Sequence, residues 1–406
     1  MTAGPARERS PLPRALWTVL VHAVITQGVI FVIRPTLSYR ALEIGLDPVY
    51  IGVLAASYTL LPLLVALQLG RLSDRFGERR LMLLGSIGMV LAVGLIVVAG
   101  HQFGVLIGAS VLLGISHIAT AIGQQSMVGR IVPRSRMSAG FAYYTLTGSV
   151  GQAVAPGLIA LFGAGQAIPD TQGILLVALV CIALAVPVPL LLPGRRAGTA
   201  AGAPARGAVL ELLRIRGLPS AVIISGIVLA AIDVFTVYLP VLGLERGLSA
   251  GAVSLLLVAR ALTSLVSRVL LEPMVNRFGV NRVLTGTIAI AVVSMGAVPL
   301  IGWMPLLVAV MVPLGLGLGL AQPITMAWVA AIAPASLRGS AMSLRLTGNR
   351  LGQTVMPILA GSVAGVLGAG GVLGVVTGCL LAGGVLAMRV DVADGSGGGA
   401  DEAAGR

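Results

Sequence analysis

A chain of 406 residues would ordinarily divide into two or three soluble domains of about 150 residues each. Composition excludes that: 57% of residues are hydrophobic, only 10% are charged, and the mean hydropathy is +1.02, so lipid must be the solvent for most of the chain. Basic residues outnumber acidic ones 27 to 14, all 27 are Arg, and the net charge of +13 makes nucleic-acid binding a class to test against where the arginines sit.

Runs of about 20 mostly apolar residues, enough to cross a bilayer, number twelve: 15–36, 49–70, 80–100, 104–130, 138–163, 172–193, 218–243, 249–271, 283–303, 305–332, 340–367 and 371–389. Residues 1–14 form a polar N-terminal segment without the pattern of a cleavable signal peptide. Residues 15–193 are expected to make one six-helix bundle and 218–390 a second. Between them, 194–217 reads as a linker ending in a basic amphipathic turn, and the Gly-rich tail 391–406 is expected to be disordered. Cys181 and Cys379 fall inside apolar runs, where a thiol acts as a small hydrophobe, and no metal box or cofactor motif is expected.

The halves echo each other. Pro133…Gly151-Gln152…Pro156 recurs 201 residues on as Pro334…Gly352-Gln353…Pro357, and Arg75-Phe76-Gly77 recurs at 202 as Arg277-Phe278-Gly279. Six spans are an even number, so both halves enter from the same side as a parallel repeat. With the N-terminus inside, one face receives 20 arginines and the other only Arg40 and Arg246. That bias predicts cytoplasmic termini in an integral protein of a cell membrane, of the bacterial inner type. It also disposes of nucleic acid as a partner and leaves Arg34, Arg260, Arg268, Arg345 and Arg350 within spans.

The segment Gly70-Arg-Leu-Ser-Asp74-Arg75-Phe-Gly77-Glu-Arg79-Arg80 resembles the signature loop of the major facilitator superfamily, and Pro334-Ala-Ser-Leu-Arg338-Gly-Ser-Ala341 resembles that family's loop before its eleventh helix. The counterpart at Glu272 to Arg282 is degraded, with Asn276 where Asp74 stands. The resemblance implies an all-α membrane fold: two six-helix bundles around a central cavity, lined by spans 1, 2, 4, 5, 7, 8, 10 and 11. The residues make physical sense by themselves. Gly70 and Gly77 permit tight turns, and Asp74 can cap span 3 or accept hydrogen bonds across the bundle interface. Gly70, Asp74, Arg75 and Gly77 are thus a candidate gating latch; the plain alternative is a basic anchor at lipid headgroups, which suffices for Arg79 and Arg80. Spans 3, 6, 9 and 12 have no interior aromatic residue, whereas Phe31, Tyr58, Phe141, Tyr143, Tyr144, Phe235, Tyr238 and Trp328 fall in the cavity set.

A charge inside the bilayer costs at least about 2.5–3.5 kcal/mol and is a functional candidate by default. Asp233 is the only carboxylate deep in a span. It is either a proton carrier or a fixed partner for an arginine, and the repeat register sets Arg34 at its depth, making an outer-gate pair. In span 8, Arg260 is expected to face the cavity, while Arg268 has a plain structural partner in Glu272 at i+4. Span 11 carries two polar stripes, Ser343, Thr347, Arg350 and Thr354 on one side and Arg345, Asn349 and Gln353 on the other. One stripe is expected at the cavity and the other against a neighbouring helix. His117, Thr120 and Gln124 share a face of span 4, and Gln27 shares one with Arg34. His117 is either a titrating relay or a packed histidine.

Several cavity arginines against one aspartate favour an anionic or amphipathic acid as cargo. Pro156 and Pro357 are candidate hinges, and Gly151-Gln-Ala-Val-Ala155-Pro156 partly resembles the antiporter motif of the family, lacking its glycine at 155. The expectation is a monomeric secondary transporter, not an enzyme, that exports a small organic solute by alternating access with proton coupling. Uptake of a small organic anion, or a non-transporting sensor of the same fold, are the alternatives.

Overall fold

The structure is a computed structural model that describes residues 13–133, 137–163, 165–194, 208–334 and 337–390. Thirteen α-helices appear among them. The first half contains α1 (Arg14–Glu43), α2 (Pro48–Phe76), α3 (Glu78–Ala99), α4 (Phe103–Ile131), α5 (Met137–Gly163) and α6 (Thr171–Ala185). A short α7 (Ala208–Arg214) lies in the linker, where the sequence predicts a basic turn. The second half contains α8 (Leu218–Glu245), α9 (Ala250–Phe278), α10 (Val280–Ala297), α11 (Met304–Ile332), α12 (Arg338–Gly361) and α13 (Ala364–Met388). The N-terminal segment, most of the linker and the tail lie outside the described residues.

Eleven of these helices are long and apolar enough to cross a membrane. The exception among the described long helices is α12, whose middle holds Arg345, Asn349, Arg350 and Gln353. It completes the twelve by packing its polar residues against α8, α2 and α11 instead of lipid. Several helices outrun the predicted spans, because a run of apolar residues ends at the headgroups but nothing breaks the backbone there. α2 continues to Phe76 and α9 to Phe278.

The helix starts differ between the two faces of the molecule. At the face away from the linker, here the far face, Asp47, Asp170 and Ser249 accept from the main-chain N–H groups of Val49, Gly173 and Ala252, at 2.8, 2.9 and 3.2 Å. At the linker face, α2 meets α3 through Gly77 alone (φ 89°) and α9 meets α10 through Gly279 alone (φ 80°). Both glycines adopt a backbone that L side chains avoid. Arg75 lies over the Phe76 ring at 5.1 Å and Arg277 over Phe278 at 5.4 Å, so the repeat extends to local geometry.

The two arginines of the far face are loop staples. Arg40 donates to Glu43, Thr171, Gln172 and the Gly100 carbonyl. Arg246 donates to the Ile301 carbonyl at 2.6 Å, the Val298 carbonyl at 3.2 Å and the Pro299 carbonyl. Each binds a neighbouring far-face loop within its own half. The halves meet through α1 with α8, α2 with α12 and α5 with α9, while α3, α6, α10 and α13 take the periphery. Exposed Leu91, Val98, Leu184, Val293 and Leu381 show the apolar outer surface of that periphery.

Candidate functional site

Between the halves lies a cavity of about 270 Å³. Its wall is drawn from α1, α2, α4, α5, α8, α9, α11 and α12, the eight helices implied by the sequence resemblance. Four charged residues reach it: Arg34, Asp233, Arg268 and Arg350. Around them stand amides (Gln27, Gln152, Gln322, Asn349, Gln353), hydroxyls (Thr145, Ser149, Ser264) and apolar groups led by Ile30, Phe31, Leu229 and Leu318. Thr145 and Leu346, on the linker side of the wall, are exposed, whereas Arg34 and Asp233 at the opposite end are buried. The cavity therefore opens towards the linker face.

Its closed end is a network of charged and amide groups. Arg34 Nη1 donates to Asp233 Oδ1 at 2.5 Å, joining α1 of one half to α8 of the other. The guanidinium also sits 5.3 Å from the centre of the Tyr58 ring, a cation–π contact in a desolvated setting. The second Asp233 oxygen accepts from Gln353 Nε2, and Gln353 Oε1 accepts from Arg350 Nη1 at 3.2 Å. Every strong acceptor on this carboxylate is thus engaged, as a buried charge requires.

Pro357 contributes through what it lacks. Without an N–H it cannot bond the carbonyl of Gln353 four residues back, and that carbonyl accepts instead from Thr59 Oγ1 of the other half at 3.2 Å. Thr354 Oγ1 donates to the same Thr59 oxygen at 3.1 Å. Beyond this layer the far face is shut. A Cβ on Gly52 would lie 2.7 Å from the Pro357 carbonyl oxygen and 2.9 Å from Gly361 Cα, so the α2–α12 crossing needs glycine there. Tyr238 OH donates to the Pro48 carbonyl at 3.2 Å, and Ala250 N to the Gln166 carbonyl at 2.6 Å, two further ties across the halves.

The expected site residues divide into those at the cavity and those behind its wall. Arg34, Gln27, His117, Asp233 and Arg350 line it. His117 Nδ1 is 2.7 Å from Tyr58 OH, and its Nε2 has no hydrogen-bond partner among the described residues. Arg260 instead turns inside its own half. It is 1% exposed, lies 5.8 Å from the Phe235 ring centre, and leaves Nε and Nη1 unpartnered among the described residues. Arg345 is buried against α11, donating to Gln322 Oε1 at 2.8 Å and to the Gln322 carbonyl at 3.1 Å. Gln124 is enclosed among α1, α4 and α5: it bonds His22 at 2.8 Å and Thr26 at 3.1 Å, and accepts from Tyr144 OH at 3.2 Å. His22 completes this network through Ser86 at 2.9 Å.

Arg268 lines the cavity and forms no ion pair with Glu272. The i+4 rule is local, and the open side of α9 faces polar groups across the cavity. Neither stripe of α12 faces inward whole: Leu346, Asn349, Arg350 and Gln353 line the wall, at spacings of three, one and three. The cavity edge takes one residue from the first stripe and two from the second. Of the aromatic residues in the cavity helices, Phe31 and Tyr58 touch the cavity, while Phe235, Tyr238 and Trp328 are buried in packing.

The latch segment is helical rather than a loop. Gly70, Asp74 and Arg75 belong to α2, and α3 starts directly after Gly77, which offers no side-chain cap. The side chain of Asp74 lies outside the described residues, as do Ala335, Ser336 and the side chain of Arg338 in the second loop. Pro156 and Pro357 both lie inside helices, α5 and α12. Sequence reasoning passed over Gln152, Gln322 and the His22 network; the repeated Gly-Gln pairs at 151–152 and 352–353 were the available signal for the first.

Comparison with known proteins follows the same lines. The family model described as Major Facilitator Superfamily matches residues 19–251 and 221–404. No curated protein matches the sequence. Among solved structures, the chain is similar to the nucleoside transporter NupG (TM-score 0.73, 14% identity, covering 93% of this chain and 98% of that one). It is also similar to a D-xylose–proton symporter (TM-score 0.74, 15% identity, 94% and 98%). The human organic anion transporter MFSD10 is a third (TM-score 0.66, 16% identity, 93% and 100%). At these identities the likeness is one of fold.

Proposed function

The chain belongs to the major facilitator superfamily and is a transporter rather than an enzyme; from that premise we propose that its cargo is a small organic anion or amphipathic acid, exported by alternating access in exchange for protons. The observation that carries this reading is the charge on the cavity wall. Arg268 and Arg350 reach it together with Arg34, against a single carboxylate, Asp233, that Arg34 already occupies. Two guanidinium groups are left to pair with a carboxylate, sulfonate or phosphate, and the apolar groups Ile30, Phe31 and Leu318 suit an organic body.

Asp233 is the proposed proton carrier, since taking up a proton would release Arg34 and with it the tie between the halves. The 20-to-2 arginine bias makes the linker face cytoplasmic. A cavity open on that side is then loaded from the cytoplasm, which supports export, as does the partial antiporter motif ending at Pro156. The working unit is taken to be a monomer in the bilayer.

The test is flux in liposomes. A thermal-shift screen of paired acids and neutral amides should find ligands only among the acids. The best acid should then move when a pH gradient is imposed, in the direction opposite to the protons. Equal binding of acids and amides would overturn the anionic cargo, gradient-insensitive flux the proton coupling, and movement with the protons would make the protein an uptake carrier.

A further inference from the structure

Gln353 touches both sides of the proposed mechanism. Its Oε1 accepts from Arg350, a guanidinium on the cavity wall, and its Nε2 donates to Asp233, the carboxylate that ties the halves together. Gln353 and Asp233 sit in the same half, on α12 and α8, while Arg34 comes from the other. The amide therefore does not bridge the halves. It holds Asp233 Oδ2 and so leaves Oδ1 aimed at Arg34. A hydrogen-bond chain running from a cation through an amide to an anion is cooperative. Arg350 polarises the amide and strengthens its N–H donation.

Resting on the anionic-cargo reading above, we propose that Gln353 is the positioning residue that couples cargo binding to the lock between the halves. An anion that engages Arg350 draws its Nη1 away from Gln353 Oε1 and neutralises the charge that polarised the amide. The amide turns, its N–H leaves Asp233, and the carboxylate loses the brace that aims it at Arg34. The empty carrier is held shut at the far face and the loaded carrier is released from it. This makes cargo a second key to the same lock, beside the protonation of Asp233. The repeat counterpart in the other half, Gln152, also lines the cavity, but the α1 position that corresponds to Asp233 is Val32, so no equivalent carboxylate stands there. The device is one-sided.

The test uses full-length protein in nanodiscs, with Cys181→Ala and Cys379→Ala, and spin labels at Gln102→Cys and Gly302→Cys, exposed positions on far-face loops of the two halves. The probe is benzoate, with benzamide as its neutral isostere. In the otherwise native background, benzoate should shift the label-to-label distance to longer values and benzamide should not. Gln353→Met keeps the main-chain carbonyl that Thr59 binds. It should still bind benzoate, as a thermal shift detects, yet show no benzoate-dependent shift in distance. Gln353→Glu should pair with Arg350, repel Asp233 and give the longer distance with no ligand present.

A benzoate response retained in Gln353→Met, or an unshifted distance in Gln353→Glu, overturns the coupling role. If Gln353→Glu shifts while benzoate fails to bind the native cavity, the lock stands and the anionic-cargo reading falls for this acid class. Gel filtration and melting of both variants identify a misfolded protein, and the surviving variant then decides.

Discussion

Arg34 and Arg260 occupy corresponding levels in the two halves, yet their surroundings differ sharply. The repeat that aligns Arg75 with Arg277 also aligns Tyr58 with Arg260, at the same spacing of 202. Arg34 has a carboxylate at 2.5 Å and the Tyr58 ring at 5.3 Å. Arg260, buried to 1%, has the Phe235 ring at 5.8 Å and two nitrogens without partners among the described residues. The charge that bridges the moving interface is saturated; the charge interior to one half is left largely to packing. α11 rests on it closely enough that a Cβ on Gly315 would fall 2.3 Å from the Arg260 carbonyl oxygen. An ion pair across an interface can be made and broken as the halves rock, and its breaking must be compensated by cargo or proton. Arg260 makes no hydrogen bond or ion pair across that interface among the described residues, and the carboxylate of Asp233 is the charge that offsets it within its own half.

The contrast can be broken most directly at Asp233. Asp233→Asn leaves Arg34 buried without a counter-charge, and removing one partner of a buried pair costs about 3–5 kcal/mol. The melting temperature should fall by several degrees, and proton-driven flux should vanish while cargo exchange persists. Unchanged melting would show that the pair does not hold the halves. Gly52→Val attacks the same closure by volume. Its side chain must displace the Pro357 carbonyl or Gly361, at about 1–3 kcal/mol for overpacking. A thiol introduced as Ser38→Cys, one helical turn beyond Arg34 on α1 and buried in the closed far face, should then react faster with a polar maleimide than it does with Gly52 intact.

Smaller effects sharpen the comparison. The double change Arg34→Met with Asp233→Leu removes both charges and should recover most of the stability lost in Asp233→Asn, to within about 1–2 kcal/mol of native. It should remain unable to couple protons. Arg260→Met should be the mildest: deleting unpartnered buried donors gains about 1 kcal/mol, with flux of an anionic cargo nearly unchanged. A large loss of flux in Arg260→Met would show that the interior arginine takes part in the cycle after all, and the two arginines would no longer be opposites.

Much of this architecture is legible in the sequence. Apolar runs, repeat spacing and arginine bias are long-range statistics of composition, and they carry topology. The depth shared by Arg34 and Asp233 also follows from the repeat, and the two are bonded. What periodicity misses is rotation about each helix axis. The two stripes of α12 are real, but the cavity edge falls between them, so Arg350 faces inward while Arg345 is claimed by Gln322 on α11. The i+4 rule pairs Arg268 with Glu272 because it knows only their own helix, whereas Arg268 reaches the cavity. The helix α2 runs on past its apolar run, because the residues from Gly70 to Phe76 are polar enough to leave lipid yet able to stay helical. The network of His22, Gln124 and Tyr144 draws on α1, α4 and α5, and no linear pattern announces it.

The junctions at Gly77 and Gly279 have a mechanical consequence. A single residue separates a helix of 29 residues from one of 22 in the first half, and one of 29 from one of 18 in the second. Such a joint has no slack: a tilt of α2 must be transmitted to α3 within one peptide unit, and a tilt of α9 to α10. Each peripheral helix is then geared to a cavity helix rather than trailing it on a tether. Lengthening either joint by a flexible residue or two would act like play in a gear train, leaving the inner helices free to rock while the outer ones stay behind in the lipid.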